Sequence, residues 1–199
     1  MTFSRTVVYL ASALLLVLAA FLVFRVLVRR DYRRRGRLTP VSSALELLIW
    51  ALFVGFPYLY NPPEWVWFWR PGVPVGPLLR STGIICITAG LLSAFGTMIW
   101  FGLRRAVGLE VSGLVQSGPY RLSRNPQLVG GSLLIVGTVT LWPTWYAAGW
   151  AILYGAIGHL MVLTEEEHLR AVYRDEYDSY CARVPQYVGW GARRQSTAG

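Results

Sequence analysis

Apolar residues in this chain come in long blocks rather than in strand-like alternation. The blocks run Val7–Val28, Ala44–Tyr60, Leu78–Phe101, Gln127–Trp142 and Trp145–Leu163. A helix needs roughly 20 apolar residues to cross the ~30 Å hydrocarbon core of a bilayer, so the blocks predict about five spans. The first is longer than the apolar centre of a signal peptide. Its basic flank, Arg29 to Arg37, follows it rather than precedes it, and a retained anchor is expected. Pro143 separates the fourth and fifth blocks by a short turn, which predicts an antiparallel hairpin. The Pro- and Gly-rich link between the second and third blocks carries Trp65, Trp67 and Trp69, placed as headgroup anchors. From Glu165 to Val184 the pattern changes. Leu169, Tyr173, Tyr177, Tyr180 and Val184 recur at steps of three and four opposite Arg170, Arg174, Asp175 and Asp178, predicting an amphipathic helix. The expected fold is all-α: an integral membrane protein of about five transmembrane helices plus a C-terminal cytoplasmic amphipathic helix. No tandem repeat occurs.

Composition agrees. Of 199 residues, 54% are hydrophobic and only 15% charged, against ~25% charged in ordinary soluble chains. Disorder is excluded, and two cysteines are too few for a disulfide scaffold. Cys86 lies in an apolar run and Cys181 in the charged tail, so no bridge between them is expected. The net charge of +9 comes from 19 basic residues, all arginine. They cluster beside the apolar blocks, which points to an anionic lipid surface and not to nucleic acid. Arginine without lysine points to GC-rich coding and hence to a bacterial inner membrane. With the link after the first span in the cytoplasm, only Arg5, Arg70 and Arg80 fall on the opposite side. The basic bias therefore predicts N-terminus out, C-terminus in.

Two polar segments flank the predicted hairpin at its cytoplasmic end. "SGPYRLSRNPQLVGG" (Ser117 to Gly131) enters the fourth span, with Arg121 and Arg124 offering planar donor forks. Asn125 is the expected N-cap and Pro126 opens the helix. "TEEEHL" (Thr164 to Leu169) leaves the fifth span. The hairpin brings arginines and carboxylates together at headgroup depth. A ligand with a carboxylate and with ribose hydroxyls or a positive centre suits both, and S-adenosylmethionine is such a ligand. The alternative is that the arginines anchor headgroups and the glutamates form a solvated helix end.

The residues also carry a resemblance. Leu114, Val115, Gly118, Pro119, Tyr120, Arg121, Arg124, Asn125, Pro126 and Gly130, followed by Glu165, Glu166, Leu169, Tyr177, Tyr180, Val184 and Pro185, form two blocks in order. They resemble the integral-membrane methyltransferases of the isoprenylcysteine carboxyl methyltransferase and phospholipid methyltransferase group. That resemblance implies a membrane-embedded S-adenosylmethionine-dependent methyltransferase acting on a lipophilic or lipid-borne acceptor (carboxylate, thiol or amine) that enters from the bilayer. It implies catalytic roles for Arg124, Asn125 and Glu165, and a cofactor site of Tyr120, Arg121, Arg124, Asn125, Glu165, Glu166, Tyr177 and Tyr180. No metal is implied. The family pattern departs at five places: Ser112 and Asn125 stand where it often has His, Leu128 where it has Tyr, Tyr173-Arg174 where it has Phe-Gly, and Gln186 where it has Arg. Asn cannot titrate, so a general base at Asn125 is excluded. The stretch "YCARVP" (Tyr180 to Pro185) also resembles sterol-type membrane reductases that use NADPH. A non-catalytic lipid-binding protein is the third reading.

Other expectations concern single residues. Ala147, Ala151, Gly155 and His159 form a small-residue stripe where span five packs tightly, which leaves spans two to four to form a substrate gap. His159 bonds a neighbouring helix or acts on a proton. His168 lies on the surface, and Arg25 pairs with Glu46. The parts divide into spans one to three (residues 1–105), a catalytic region (106–190) and a disordered tail (191–199).

Overall fold

A computed structural model describes residues 3–60, 75–102 and 113–189. The Trp65, Trp67 and Trp69 belt, Ser112 and the tail from 191 lie outside the described residues. All regular structure among the described residues is helical, so the fold is all-α. Helix α1 (Phe3–Phe21) runs through a π-helical stretch (Leu22–Val28) into α2 (Arg29–Arg35). Next come α3 (Pro40–Tyr60), α4 (Pro77–Phe101), a 3-10 turn (Gly118–Arg121), α5 (Pro126–Leu141) and α6 (Trp145–Arg183). The rod formed by α1 and α2, together with α3, α4 and α6, is long and apolar enough to cross a membrane; α5 is apolar but has 16 residues. Leucines such as Leu14, Leu15, Leu78 and Leu92 stand exposed on the outside, as lipid-facing positions do.

The fifth span continues without a stop past Leu163, and α6 is two helices joined across a kink at Arg174. The part before the kink is about 44 Å long, more than the hydrocarbon thickness. Its apolar part ends near Leu163 and its charged part continues beyond the bilayer. The break falls at Arg174, whose φ of 42° and ψ of −118° lie in a region that favours glycine. Past it, Tyr177, Tyr180 and Val184 form a second small core with Leu114, Leu169, Tyr173 and Cys181, on the face that the spacing predicted. The hairpin turn is as expected: Trp142 ends the α5 helix and the Thr144 side chain caps α6 by accepting from Ala147 N at 3.2 Å.

Helices α4 and α5 make the closest contact. A Cβ on Gly90 would stand 2.5 Å from Leu134 N and 2.7 Å from Gly130 O. One on Gly130 would meet Ala94 N at 2.6 Å, and one on Gly137 would meet Gly83 O at 2.6 Å. Backbone approaches backbone there because no side chain intervenes. The stripe expected to do this in span five does not. Ala147 is buried, but Gly155 and His159 are exposed, and nothing lies within 4 Å of a Cβ placed on Gly155. A gap between spans three and four is therefore closed off. Helix α5 rests on α6, which packs against α1 and α3. The helix ends nearest the turn between α5 and α6 are aromatic: Tyr9 donates to Tyr146 O, and Trp150 Nε1 to Phe53 O, both at 2.9 Å.

Candidate active site at the charged end of the bundle

Three consecutive glutamates leave the end of the α6 span, and successive helical positions point about 100° apart. Each therefore meets a different neighbour. Glu167 turns to the first helix. Its Oε1 accepts from Arg29 Nε (2.9 Å), Arg29 Nη2 (2.7 Å) and Arg33 Nη2 (2.7 Å), and its Oε2 from Arg25 Nη1 (3.4 Å). Hydrogen bonds from Arg29 and then Arg33 pull its pKa down to about 2, against a burial cost. Arg25 also donates to Thr164 Oγ1 at 3.2 Å. The expected Arg25–Glu46 pair is thus replaced by a pairing with Glu167. The reason is phase: Arg25, Arg29 and Arg33 recur every four residues and share one face of the first helix.

Glu166 turns to the loop before α5. Its Oε1 lies 2.9 Å from Arg124 Nη1, and both side chains are largely buried. Arg124 Nη1 also reaches Cys181 Sγ (2.7 Å) and the Tyr177 hydroxyl (3.5 Å). Burial opposes the Arg124 charge, but Glu166, Cys181 and Tyr177 outweigh it and raise its pKa. Glu165 makes no hydrogen bond or ion pair with a described residue, and burial, then the neighbouring Glu166 charge, raises its pKa to about 7. In its ionised form it acts on Tyr32, Glu46 and Tyr120. Burial first, then Glu165, holds the Tyr120 phenol above its ordinary pKa.

The loop that carries Arg124 is stitched to the chain beyond α6. Arg124 N donates to Pro185 O at 2.9 Å, Asn125 Nδ2 to Gln186 O at 2.9 Å, and the Tyr180 hydroxyl to Tyr120 O at 2.7 Å. The Asn125 side chain makes no capping bond to α5; its polar contact is the bond that Nδ2 donates to Gln186 O. Tyr177 and Tyr180 are 1% and 3% exposed, so the segment after the Arg174 break covers Arg124. Arg121 is exposed and has no partner among the described residues. His168 is not on the surface: it is half-buried and stacked on Tyr32 at 4.0 Å between ring centroids. His159 Nδ1 lies 3.3 Å from the Tyr187 hydroxyl on the exposed side, not on a neighbouring helix.

Two donors, Arg124 Nε and Gln127 Nε2 in the first turn of α5, are buried without a hydrogen-bond partner, and Glu166 Oε1, close as it is to Arg124 Nη1, makes no hydrogen bond. An orphaned buried donor costs about 1–3 kcal/mol. Such donors suit a ligand with carboxylate or hydroxyl oxygens. Gln127, Glu167 and Cys181 were not expected from the sequence. A polar residue in the first turn of an apolar span was the available signal for Gln127, and the arginine phase of the first helix was the signal for Glu167.

Comparison with known proteins adds the family. Among curated proteins and among solved structures nothing matches the chain. Residues 74–176, from the approach to α4 through Arg124 and the three glutamates, match the family model described as phospholipid methyltransferase. The match takes in α4, which lies before the two blocks that carried the resemblance, and ends one residue before Tyr177. It covers more than half of the chain, and this integral membrane protein belongs to the phospholipid methyltransferase family.

Proposed function

We propose that this chain transfers a methyl group from S-adenosylmethionine to an amine carried on a lipid, at the cytoplasmic face of a bacterial inner membrane. The single observation that carries the reading is the buried Arg124–Glu166 pair with its orphaned donors, Arg124 Nε and Gln127 Nε2, in a chain of this family. Those donors fit the carboxylate or ribose oxygens of the cofactor. Glu166, Tyr120, Asn125, Tyr177 and Tyr180 complete the enclosure, and Arg121 guides the anionic end inward from the exposed side.

S-adenosylmethionine supplies a methyl group on a positive sulfur, transferred in line as its C–S bond breaks and the electron pair stays on sulfur. The protein's part is alignment and exclusion of water. Of carboxylate, thiol and amine acceptors, the amine fits best. Glu165 lacks an arginine partner and faces Glu46, so this corner favours a group that arrives as an ammonium. Glu165 takes the ammonium proton, the freed nitrogen pair forms the new C–N bond, and the product leaves as a methylated ammonium. Tyr177 and Tyr180 shut out water from above, leaving the seam between α3 and α4 as the lipid's entrance.

The test is calorimetry with S-adenosylhomocysteine and, separately, NADPH. Binding of the first alone is expected. Removing one partner of a charge-assisted contact costs about 1.5–3 kcal/mol, so Arg124→Ala and Glu166→Ala are each expected to weaken S-adenosylhomocysteine roughly 10- to 150-fold, whereas Glu165→Ala is expected to lose turnover with that affinity kept. NADPH binding points instead to the reductase reading, and binding of neither to a lipid-binding protein. Turnover of a carboxylate-headed lipid in preference to an amine-headed one overturns the acceptor assignment.

A further inference from the structure

Outside that site, the first helix carries a groove of about 280 Å³ lined by Arg25, Val26, Arg29, Arg30, Arg33 and Arg34. Five guanidinium groups line it, and three of them are bonded to the Glu167 carboxylate. Arg25, Arg29 and Arg33 share that single charge. Arg30 is half-exposed and 3.7 Å from Asp31, whose Oδ2 is already engaged by Thr39 and Ser42. Arg34 is exposed and has no ion-pair partner among the described residues. The groove therefore keeps a strong positive excess. Its deeper end lies in the π-helical stretch Leu22–Val28, a widened turn of a kind often found at functional positions. Just below, Leu18, Leu22 and Val26 are about half exposed, as a surface in contact with acyl chains is.

We infer that this groove binds the phosphate of an anionic phospholipid, with the arginines around the headgroup and the acyl chains along Leu18, Leu22 and Val26. Arginine forks match phosphate oxygens two at a time. The apolar strip selects a lipid over a free phosphate ion, because only a lipid fills both parts. The site is independent of methyl transfer: Glu167 faces it, while Glu166 faces Arg124.

The experiment is native mass spectrometry of the full chain from nanodiscs of phosphatidylcholine with or without phosphatidylglycerol, for the parent and for Arg30→Gln with Arg34→Gln. These two arginines do not touch Glu167, so the tie between the first helix and α6 stays whole. The parent is expected to retain one phosphatidylglycerol. Near an anionic surface each arginine is worth about a fivefold change, so the double variant is expected to hold it roughly 25-fold more weakly, with S-adenosylhomocysteine affinity unchanged. Equal retention by both proteins, or equal retention of phosphatidylcholine, overturns the site. Protection against heat by inorganic phosphate alone, to the same degree as by the lipid, overturns the lipid assignment.

Discussion

The α4–α5 contact and the end of α6 solve opposite problems. Between α4 and α5 the glycines at 83, 90, 130 and 137 remove bulk so that two rods can touch. At the end of α6, two of three adjacent carboxylates, Glu166 and Glu167, pair with arginines, and Glu165 pairs with none among the described residues. The first region is held by shape. The second is held by charge pairs. Substitutions in the first should therefore alter folding and function together, whereas substitutions in the second should separate them.

The largest effect is expected at Gly90. Leucine there would drive its side chain into the Leu134 and Gly130 backbone, which cannot yield as a side chain does. Overpacking of this kind costs about 3 kcal/mol or more, and a melt in detergent should show no cooperative transition. A stable Gly90→Leu protein would remove the argument that shape holds this interface. Next in size is Tyr177→Ala with Tyr180→Ala. It opens the cover over Arg124 and removes the bond to Tyr120 O. Turnover is expected to fall by at least the roughly tenfold equivalent of one lost hydrogen bond, with the transmembrane bundle intact by circular dichroism.

A smaller effect is set by pH. The folded-state pKa of Glu167, about 2, lies below its ordinary value of 4.5, so its contribution is fully present above that ordinary value. It is lost as pH falls through the folded one. The Glu167 contribution, read as the difference between parent and Glu167→Gln melts down an acid series, should hold steady to about pH 5 and then fall. The Glu167→Gln variant should lack that part of the fall. The smallest is a gain. Arg174→Gly puts glycine where the backbone has a positive φ and where the methyltransferase pattern carries one. Relief of such strain is worth about 1 kcal/mol after the entropy of glycine is set against it, or a rise of roughly 2–4 °C in Tm. An unchanged or lower Tm would mean that the break is held by something other than backbone strain.

Much of this was legible in the chain. Block length determines how many helices are long and apolar enough to cross, and Pro143 marks the turn between α5 and α6. The meeting of Arg124 with Glu166 follows from that hairpin. The steps of three and four from Leu169 to Val184 mark the buried face past Arg174. What could not be read depends on a partner. The row Ala147, Ala151, Gly155 looks as fit for close packing as Gly130 and Gly137, but close packing needs a matching row opposite. Only α4, with Gly83 and Gly90 seven residues apart, supplies one. Arg25 had two acidic groups within reach of any sequence argument, and the choice of Glu167 over Glu46 depends on which face α6 turns at its end. Asn125 stands at a cap position, but its side chain was claimed by a carbonyl 61 residues away.

The tie between Arg29 and Glu167 joins residues 138 positions apart, and this has a consequence in time. A ribosome adds roughly 5–20 residues each second, so Arg25, Arg29 and Arg33 wait about 7 to 28 seconds for the one carboxylate they share. The brace between the first helix and α6 therefore closes only after residue 167 has been made, and a chain cut short before it lacks that brace.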